Sequence, residues 1–264
     1  MRIRSLLPLS VAAAVACLAT PVLAQTAPYE RVGPQQDWTV DLGAGVLYSQ
    51  DTNGDTGGQT NAVPYIAANW RDTVYFSPFE GLGGNVVNTD SFRAGVQVRP
   101  RFGPDDIEGL TLERPDFGAD AAVYAFQRLP GNIVIGGRVS RDISDVSEGT
   151  EYYASVGHQR VTPIGLLNAT AFVRGGDRKL ADAYYGVDAS DALANGISAY
   201  APDGGVQGAG VNLVLVAPLN KQWAVGGLAG YERRLGDIAD SPLSESDDTW
   251  RVGGFIARRF GSVG

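Results

Sequence analysis

Histidine occurs once in the chain, at position 158, so any reaction that needs an imidazole base must run through His158. No nucleophile elbow, glycine-rich phosphate loop or zinc-ligand spacing accompanies it. The single cysteine, Cys17, lies in an apolar N-terminal run, and the chain beyond it offers no thiolate for catalysis or metal binding. Asp51, Asn53 and Asp55 have the oxygen-ligand spacing of a calcium loop. The sixth position is Thr56 where the sharp turn demands glycine, and the twelfth is Ala62 in place of a bidentate glutamate. That stretch reads as a polar surface turn, and no metal or cofactor is expected. The remaining constellation is one of charge: Arg93, Arg99, Arg138, Arg174 and Arg251, with Asp41, Asp120 and Glu232. Guanidinium forks pair bidentately with carboxylates, and charges confined to an interior must be hydrated or paired. Such a set either fills an interior with ion pairs or lines a selective pore.

The elements that would hold these charges are strands with two unlike faces. In residues 38–49, Trp38, Val40, Leu42, Ala44, Val46 and Tyr48 share one parity, and Thr39, Asp41, Gly43, Gly45 and Ser49 the other, with Leu47 the exception. In 91–102, Phe92, Ala94, Val96 and Val98 oppose Arg93, Gln97, Arg99 and Arg101. In 166–175, Leu167, Ala169, Ala171 and Val173 oppose Asn168, Thr170 and Arg174, and in 249–260 Trp250, Val252, Ile256 and Phe260 oppose Arg251, Ala257 and Arg259. The two faces of 117–128 are both mixed. In a soluble sandwich the polar faces would meet water; in a membrane barrel they line the lumen, the apolar faces meet lipid, and aromatics mark the interfaces. Thirty-five glycines and eleven tyrosines beside a single methionine suit a curved, closing antiparallel sheet. A mean hydropathy near zero follows from the cancellation of the two faces.

Further candidate strands are 61–70, 74–79, 84–88, 133–141, 151–161, 207–217 and 222–235, which makes about twelve in all. Splitting 74–88 at Glu80-Gly81-Leu82-Gly83 makes long loops (50–60, 103–116, 142–150, 176–206, 236–248) alternate with short turns, as outer-membrane barrels require. Twelve strands close the pattern with both termini on the periplasmic side; ten remain if the split segment is a loop. The parity of His158 is that of Tyr152, Ala154 and Val156, outward and near the periplasmic rim, which suits an interfacial side chain. An outer-membrane phospholipase would carry its histidine toward the outer leaflet.

Residues 1–24 open with Arg2 and Arg4, continue through an apolar run and end in Val22-Leu23-Ala24, the form of a secretory signal peptide. Residues 25–37 are polar, carry two prolines and show no period, so they read as a flexible periplasmic segment. The barrel follows over 38–260, with a tail at 261–264. The net charge of −8 argues against nucleic acid as a partner. Outer-membrane lipid and the barrel assembly machinery are the partners a membrane barrel needs. Within the long loop 176–206, residues 188–196 fit a short helix capped by Asp188 or Ser190, so the loop is either a functional lid or a packed extracellular cap.

Several stretches together carry a resemblance: RDTVYFSPFEGLGGNVVN at 71–88, ADAYYGV at 181–187 with Tyr184, Tyr185 and Gly186, LGDIADSP at 235–242 with Gly236, Asp237, Asp240, Ser241 and Pro242, and the terminal ARRF ending in Phe260. From about Trp38 to Phe260 the chain resembles the MipA/OmpV family of outer-membrane proteins. The resemblance implies a β-barrel without catalytic residues. It also implies a scaffold role, with a lytic transglycosylase (MltA) and a bifunctional penicillin-binding protein of murein growth as partners. Other members of the family resemble adhesins or are tied to uptake. The tail 261–264 departs from the family, whose chains usually end at the aromatic, here Phe260. The readings carried forward are a non-enzymatic scaffold, a narrow pore or solute-binding barrel with an arginine-lined lumen, and a surface adhesin.

Overall fold

The computed structural model describes residues 37–50, 58–77, 80–104, 107, 109–115, 117–244 and 246–261. Within them the alternating stretches form antiparallel strands, each paired with its neighbours in sequence: β1 (Trp38–Gln50), β2 (Gly58–Trp70), β3 (Val74–Ser77), β4 (Gly81–Asn88), β5 (Phe92–Arg101), β6 (Gly118–Leu129), β7 (Ile133–Asp142), β8 (Thr150–Thr162), β9 (Gly165–Gly176), β10 (Gly205–Pro218), β11 (Trp223–Arg234) and β12 (Asp248–Gly261). The sheet closes on itself when β12 pairs with β1, from Thr39 opposite Gly261 to Ser49 opposite Arg251. The fold is a closed twelve-stranded antiparallel barrel. Residues 1–36, the calcium-like stretch 51–57 and the tail beyond Gly261 lie outside the described residues.

The burial pattern is that of a soluble protein turned inside out. Leu42, Val46, Ile66, Val96, Val123, Val139, Val252 and Ile256 are exposed around the outer wall, whereas Arg93, Arg99, Asp120, Arg138, Glu151, Glu232, Arg234 and Arg251 are buried inside. Such a continuous apolar outer face has lipid as its solvent. Trp38, Trp70 and Phe260 lie at one end of the strands and Tyr48 and Trp250 at the other, all exposed, as interfacial girdles are. In β6 the mixed faces resolve: Asp120, Ala122, Tyr124 and Phe126 point inward, and Ala121, Val123 and Ala125 outward. Both faces look mixed in sequence because the lumen itself is partly aromatic here. Leu47, the exception to alternation in β1, faces the lumen, opposite Gly253.

The hairpin β3–β4 turns earlier than its sequence suggests. β3 stops at Ser77 and β4 starts at Gly81, whose φ of +74° makes the corner. Leu82 and Gly83 are therefore strand, with Gly83 directly beneath the Tyr75 ring, where a side chain would collide with it. With only four residues, β3 meets β2 at Ala68, Asn69 and Trp70 alone. Above Ala68 the outer edge of β2 has no strand partner among the described residues. Pro64, which has no N–H to offer a ladder, sits in that stretch, where an edge tolerates it.

At the rim opposite the short turns, the segment between β9 and β10 folds into two helices, α1 (Arg178–Tyr185) and α2 (Ala189–Asn195). Asp177 caps α1 by accepting from the Leu180 N–H at 2.9 Å, and Asp188 caps α2 by accepting from the Asp191 N–H at 2.8 Å. The second helix coincides with the stretch read as helical. The first was not read as one, although Asp177 supplied its start signal.

Candidate functional site

Strand register brings the inward charges together, because residues directly opposite on neighbouring strands share a level of the lumen. Arg99 of β5 lies opposite Asp120 of β6, and Ser140 of β7 lies opposite Glu151 of β8. The Arg101 guanidinium grips Asp120 with both ends of its fork, Nε to Oδ1 at 2.8 Å and Nη2 to Oδ2 at 2.5 Å. Glu151 is the hub: its Oε1 accepts from Arg99 Nη1 at 3.3 Å and from Arg138 Nη2 at 3.2 Å, and its Oε2 lies 3.8 Å from Arg101 Nη1. On the far wall Glu232 of β11 receives Arg174 Nε on one oxygen and Arg251 Nη2 on the other, the latter at 3.2 Å. Burial strengthens such charge-assisted pairs, and Glu151 and Glu232 each hold more than one guanidinium.

Aromatic rings fill the lumen beside the charges. Tyr75, Tyr124 and Phe126 form one tilted series, with centroids 6.4 and 6.1 Å apart, and Tyr153 stacks on Phe172 at 5.7 Å. Tyr65 and Phe255 lie face to face at 4.5 Å near the seam. The rings of Tyr75, Tyr124, Phe126, Phe172 and Phe255 are each accommodated by an inward glycine on a neighbouring strand. A Cβ on Gly95 would lie 2.5 Å from the Tyr124 hydroxyl, and one on Gly210 would lie 2.8 Å from Phe172 Cζ. Large side chains set against absent ones are how a small barrel fills its interior. The two systems interlock where the Arg138 guanidinium lies 5.1 Å over the Tyr153 ring.

The cap roofs this interior. Val187, Ala192 and Leu243 form a small core, packed by Ile107, Leu110, Leu112, Ile197 and Tyr200. Thr111 and Asn195 exchange hydrogen bonds at 2.6 and 2.9 Å, tying the segment between β5 and β6 to α2. The stretches 181–187 and 235–242 meet here: Ser241 Oγ donates to the Tyr185 carbonyl at 2.7 Å, and the Tyr200 hydroxyl donates to the Asp237 carbonyl at 2.7 Å. Gly236 takes φ +66° at the start of a short 3-10 turn, the Asp240 N–H donates to the Asp237 carbonyl, and Gly186 ends α1 by donating to the Asp182 carbonyl. Pro242 follows Ser241 in the same turn. Tyr184 reaches down over Arg101, ring centroid to guanidinium 6.0 Å, and burial pushes its hydroxyl up to about 12.

Two of the charges singled out from sequence stand apart from the central cluster. Asp41 pairs with Arg259 at the short-turn rim, and Arg93 donates from Nε to Asn88 Oδ1 at 2.9 Å. His158 is exposed on the outer face, opposite Ile133 and Ala169, on the side of the wall away from the lumen charges. Glu80, Glu151 and Arg234, which the sequence does not single out as site residues, are buried with the cluster or close to it, and Arg101, likewise not singled out, is mostly covered. Three of them had an available signal: Arg101 shares the parity of Arg93 and Arg99, Arg234 that of Glu232, and Glu151 lies on the parity opposite to Tyr152, Ala154 and Val156. No group of side chains among the described residues is arranged to hold a metal ion. What the cluster does chemically is neutralise charge, each guanidinium of the central group facing a carboxylate.

A closed barrel with an apolar outer wall and a polar, ion-paired interior defines an integral outer-membrane protein. The profile of the MltA-interacting protein MipA matches residues 42–260, and the chain belongs to that family. It is 25% identical over 188 residues to the outer membrane protein OmpV of Vibrio cholerae serotype O1, covering 69% of each chain. It is equally similar to the outer membrane protein Omp26La of Vibrio anguillarum, again 25% over 188 residues and 69% of each. Among solved structures, an outer membrane channel from Pseudomonas putida F1 superposes with a TM-score of 0.44 at 11% identity, covering 88% of this chain and 98% of that one. The outer membrane is where the chain resides.

Proposed function

We propose that this protein is a non-catalytic outer-membrane scaffold that holds a lytic transglycosylase of the MltA type at its periplasmic rim, and through it a murein synthase. The observation that carries the reading is the interior: Glu151 held by three guanidiniums, a layer of rings and a roof of two helices leave little path for a solute. A barrel so filled works through its surfaces. The family description supports an MltA-type enzyme as the partner. The periplasmic surface open to it consists of the short turns and the segment 25–37, which together are small for a stable interface of standard size, so the reading calls for a contact that is transient or extended along the segment.

The test is co-purification. Detergent-solubilised full-length barrel should retain a purified, folded MltA-type transglycosylase on a column, and a chain lacking 25–37 should retain less. Failure of the full-length barrel to hold the enzyme, with both proteins folded by heat-modifiable gel migration and activity respectively, overturns the reading.

A further inference from the structure

The charges of the lumen are unequally matched. On the β5–β8 wall, Arg99, Arg101 and Arg138 face Glu151 and Asp120, with Glu80 buried beside them. On the β9–β12 wall, Arg174, Arg234 and Arg251 share a single inward carboxylate, Glu232, and Arg174 and Arg251 occupy both of its oxygens. Arg234 is left over. It is 3% exposed, and neither Nη1 nor Nη2 has an acceptor among the described residues. Asp237, three residues on, is exposed and accepts from the Asp203 N–H through Oδ2, and Asp247 gives its carbonyl to the Arg234 N–H and turns its carboxylate to Arg233.

A buried guanidinium without a counter-charge is strongly unfavourable, so a structure that keeps one normally supplies an anion to it. The surroundings are consistent with a built site. Arg234 lies opposite Gly208, which contributes no side chain, and Arg174 lies beyond Gly208 on the next strand at the same level. A β-bulge between Val206 and Gly208 interrupts the ladder at Gln207. Gln207 is 2% exposed, and its Nε2 donor has no acceptor among the described residues either. Bulges commonly re-aim a side chain in this way. The free end of the Arg234 fork is a pair of parallel N–H donors, which matches two oxygens on one atom better than a single spherical ion.

We propose that the roof of the lumen at Arg234 and Gln207 is a binding site for a small oxyanion, a phosphate or carboxylate group. This goes beyond the scaffold reading and does not depend on it.

The test uses the full-length barrel in detergent at constant ionic strength. Its thermal unfolding is followed while chloride is exchanged for inorganic phosphate, sulfate or acetate, so that the arms separate tetrahedral from carboxylate recognition. The expected result is a saturable rise in Tm with at least one oxyanion. Arg234→Met should abolish that rise and should itself be more heat-stable than the wild type in chloride, because it removes an unmatched buried charge. Arg233→Met, on the outward parity, should respond like the wild type. Should Arg234→Met not fold, calorimetric titration of the wild type and of Gln207→Leu with phosphate decides, the variant binding about tenfold more weakly for one lost hydrogen bond. No saturable response of the wild type to any of the three anions, or an undiminished response in Arg234→Met, overturns the proposal.

Discussion

Asp41 and Arg259 stand directly opposite each other across the strand pair that closes the barrel, and the guanidinium donates to both carboxylate oxygens, at 2.7 and 2.6 Å. The pair joins the first strand to the last at the periplasmic rim, so it reports on closure rather than on packing within one hairpin. Arg259 is half-exposed, and a solvated ion pair is worth little. A double-mutant cycle of Asp41→Asn and Arg259→Gln, measured by urea unfolding from liposomes, should give a coupling of about 0.5–1 kcal/mol. Coupling near zero would show that the backbone ladder alone closes the seam.

Glu151 is a different case because it is buried among Arg99, Arg101 and Arg138. Glu151→Gln keeps the volume and removes the charge that those guanidiniums share, and breaking a buried ion cluster from one side costs about 3–5 kcal/mol. The same barrel in a planar bilayer should pass no steady current as wild type. The variant should unfold at lower urea, and any current it shows would trace to this cluster. Equal urea midpoints for the two would mean that the lumen is far wetter than its burial implies.

Phe255 lies against Gly226 on one side and Gly45 on the other, and its ring occupies the place where a Gly226 side chain would begin. Gly226→Ala should cost about 1–3 kcal/mol by overpacking. Because the obstructing atoms belong to a side chain, Phe255→Leu should recover much of the loss when combined with it. Simple additivity of the two substitutions in unfolding experiments would show that the ring can move aside.

Much of the wall was legible because lipid and lumen impose opposite demands on alternate residues, as in β1, where Trp38 to Tyr48 alternate with Thr39 to Ser49. Legibility failed where the lumen is apolar, since Tyr124 and Phe126 on the inner face of β6 resemble the outer face in kind. It failed at Gly81, where one positive φ moved the corner of a hairpin. The partners inside the lumen were the least accessible part. Arg99 and Glu151 are 52 residues apart, and only the register across four strands brings them into contact. Helix α1 was hidden because it buries only Leu180 and Ala181, too few positions to impose a period.

The cap should loosen in acid before the barrel does. Burial raises the Asp177 carboxyl, but hydrogen bonds from the Leu180 N–H and from Thr150 outweigh it and leave the group below its ordinary range. Asp188 is lowered by the Asp191 N–H and the Ser190 hydroxyl. Both folded-state values lie below the unfolded Asp value of about 3.9. Their contribution is complete above that pH and is lost as pH falls through the lowered values. Hydrogen exchange over 178–195, corrected for the intrinsic rate, should show protection of α1 and α2 falling as pH drops below the ordinary aspartate range while the strands keep theirs. Asp177→Asn, which can still cap, should keep α1 protected in acid. Unchanged protection of the wild-type helices across this range would place their stability in the Val187, Ala192 and Leu243 core instead.

The sharpest contrast lies between adjacent residues of the last strand. Ile256 faces outward between Ala44 and Val225 and is 45% exposed, whereas Phe255 faces the lumen and stacks on Tyr65. An arginine at position 256 has to enter hydrocarbon near the middle of the wall, at a cost of about 2–4 kcal/mol. An arginine at 255 loses the ring stack but has Asp41 and its hydrated rim two register levels away on the lumen side, and a lumen position carries no lipid penalty. Folding yields into liposomes should therefore fall further for Ile256→Arg than for Phe255→Arg, and the gap should shrink in short-chain detergent, where the apolar slab is thin and deformable. A larger loss at 255 than at 256 in the bilayer would reverse the assignment of faces on β12, and with it the in-and-out pattern of every strand registered to it.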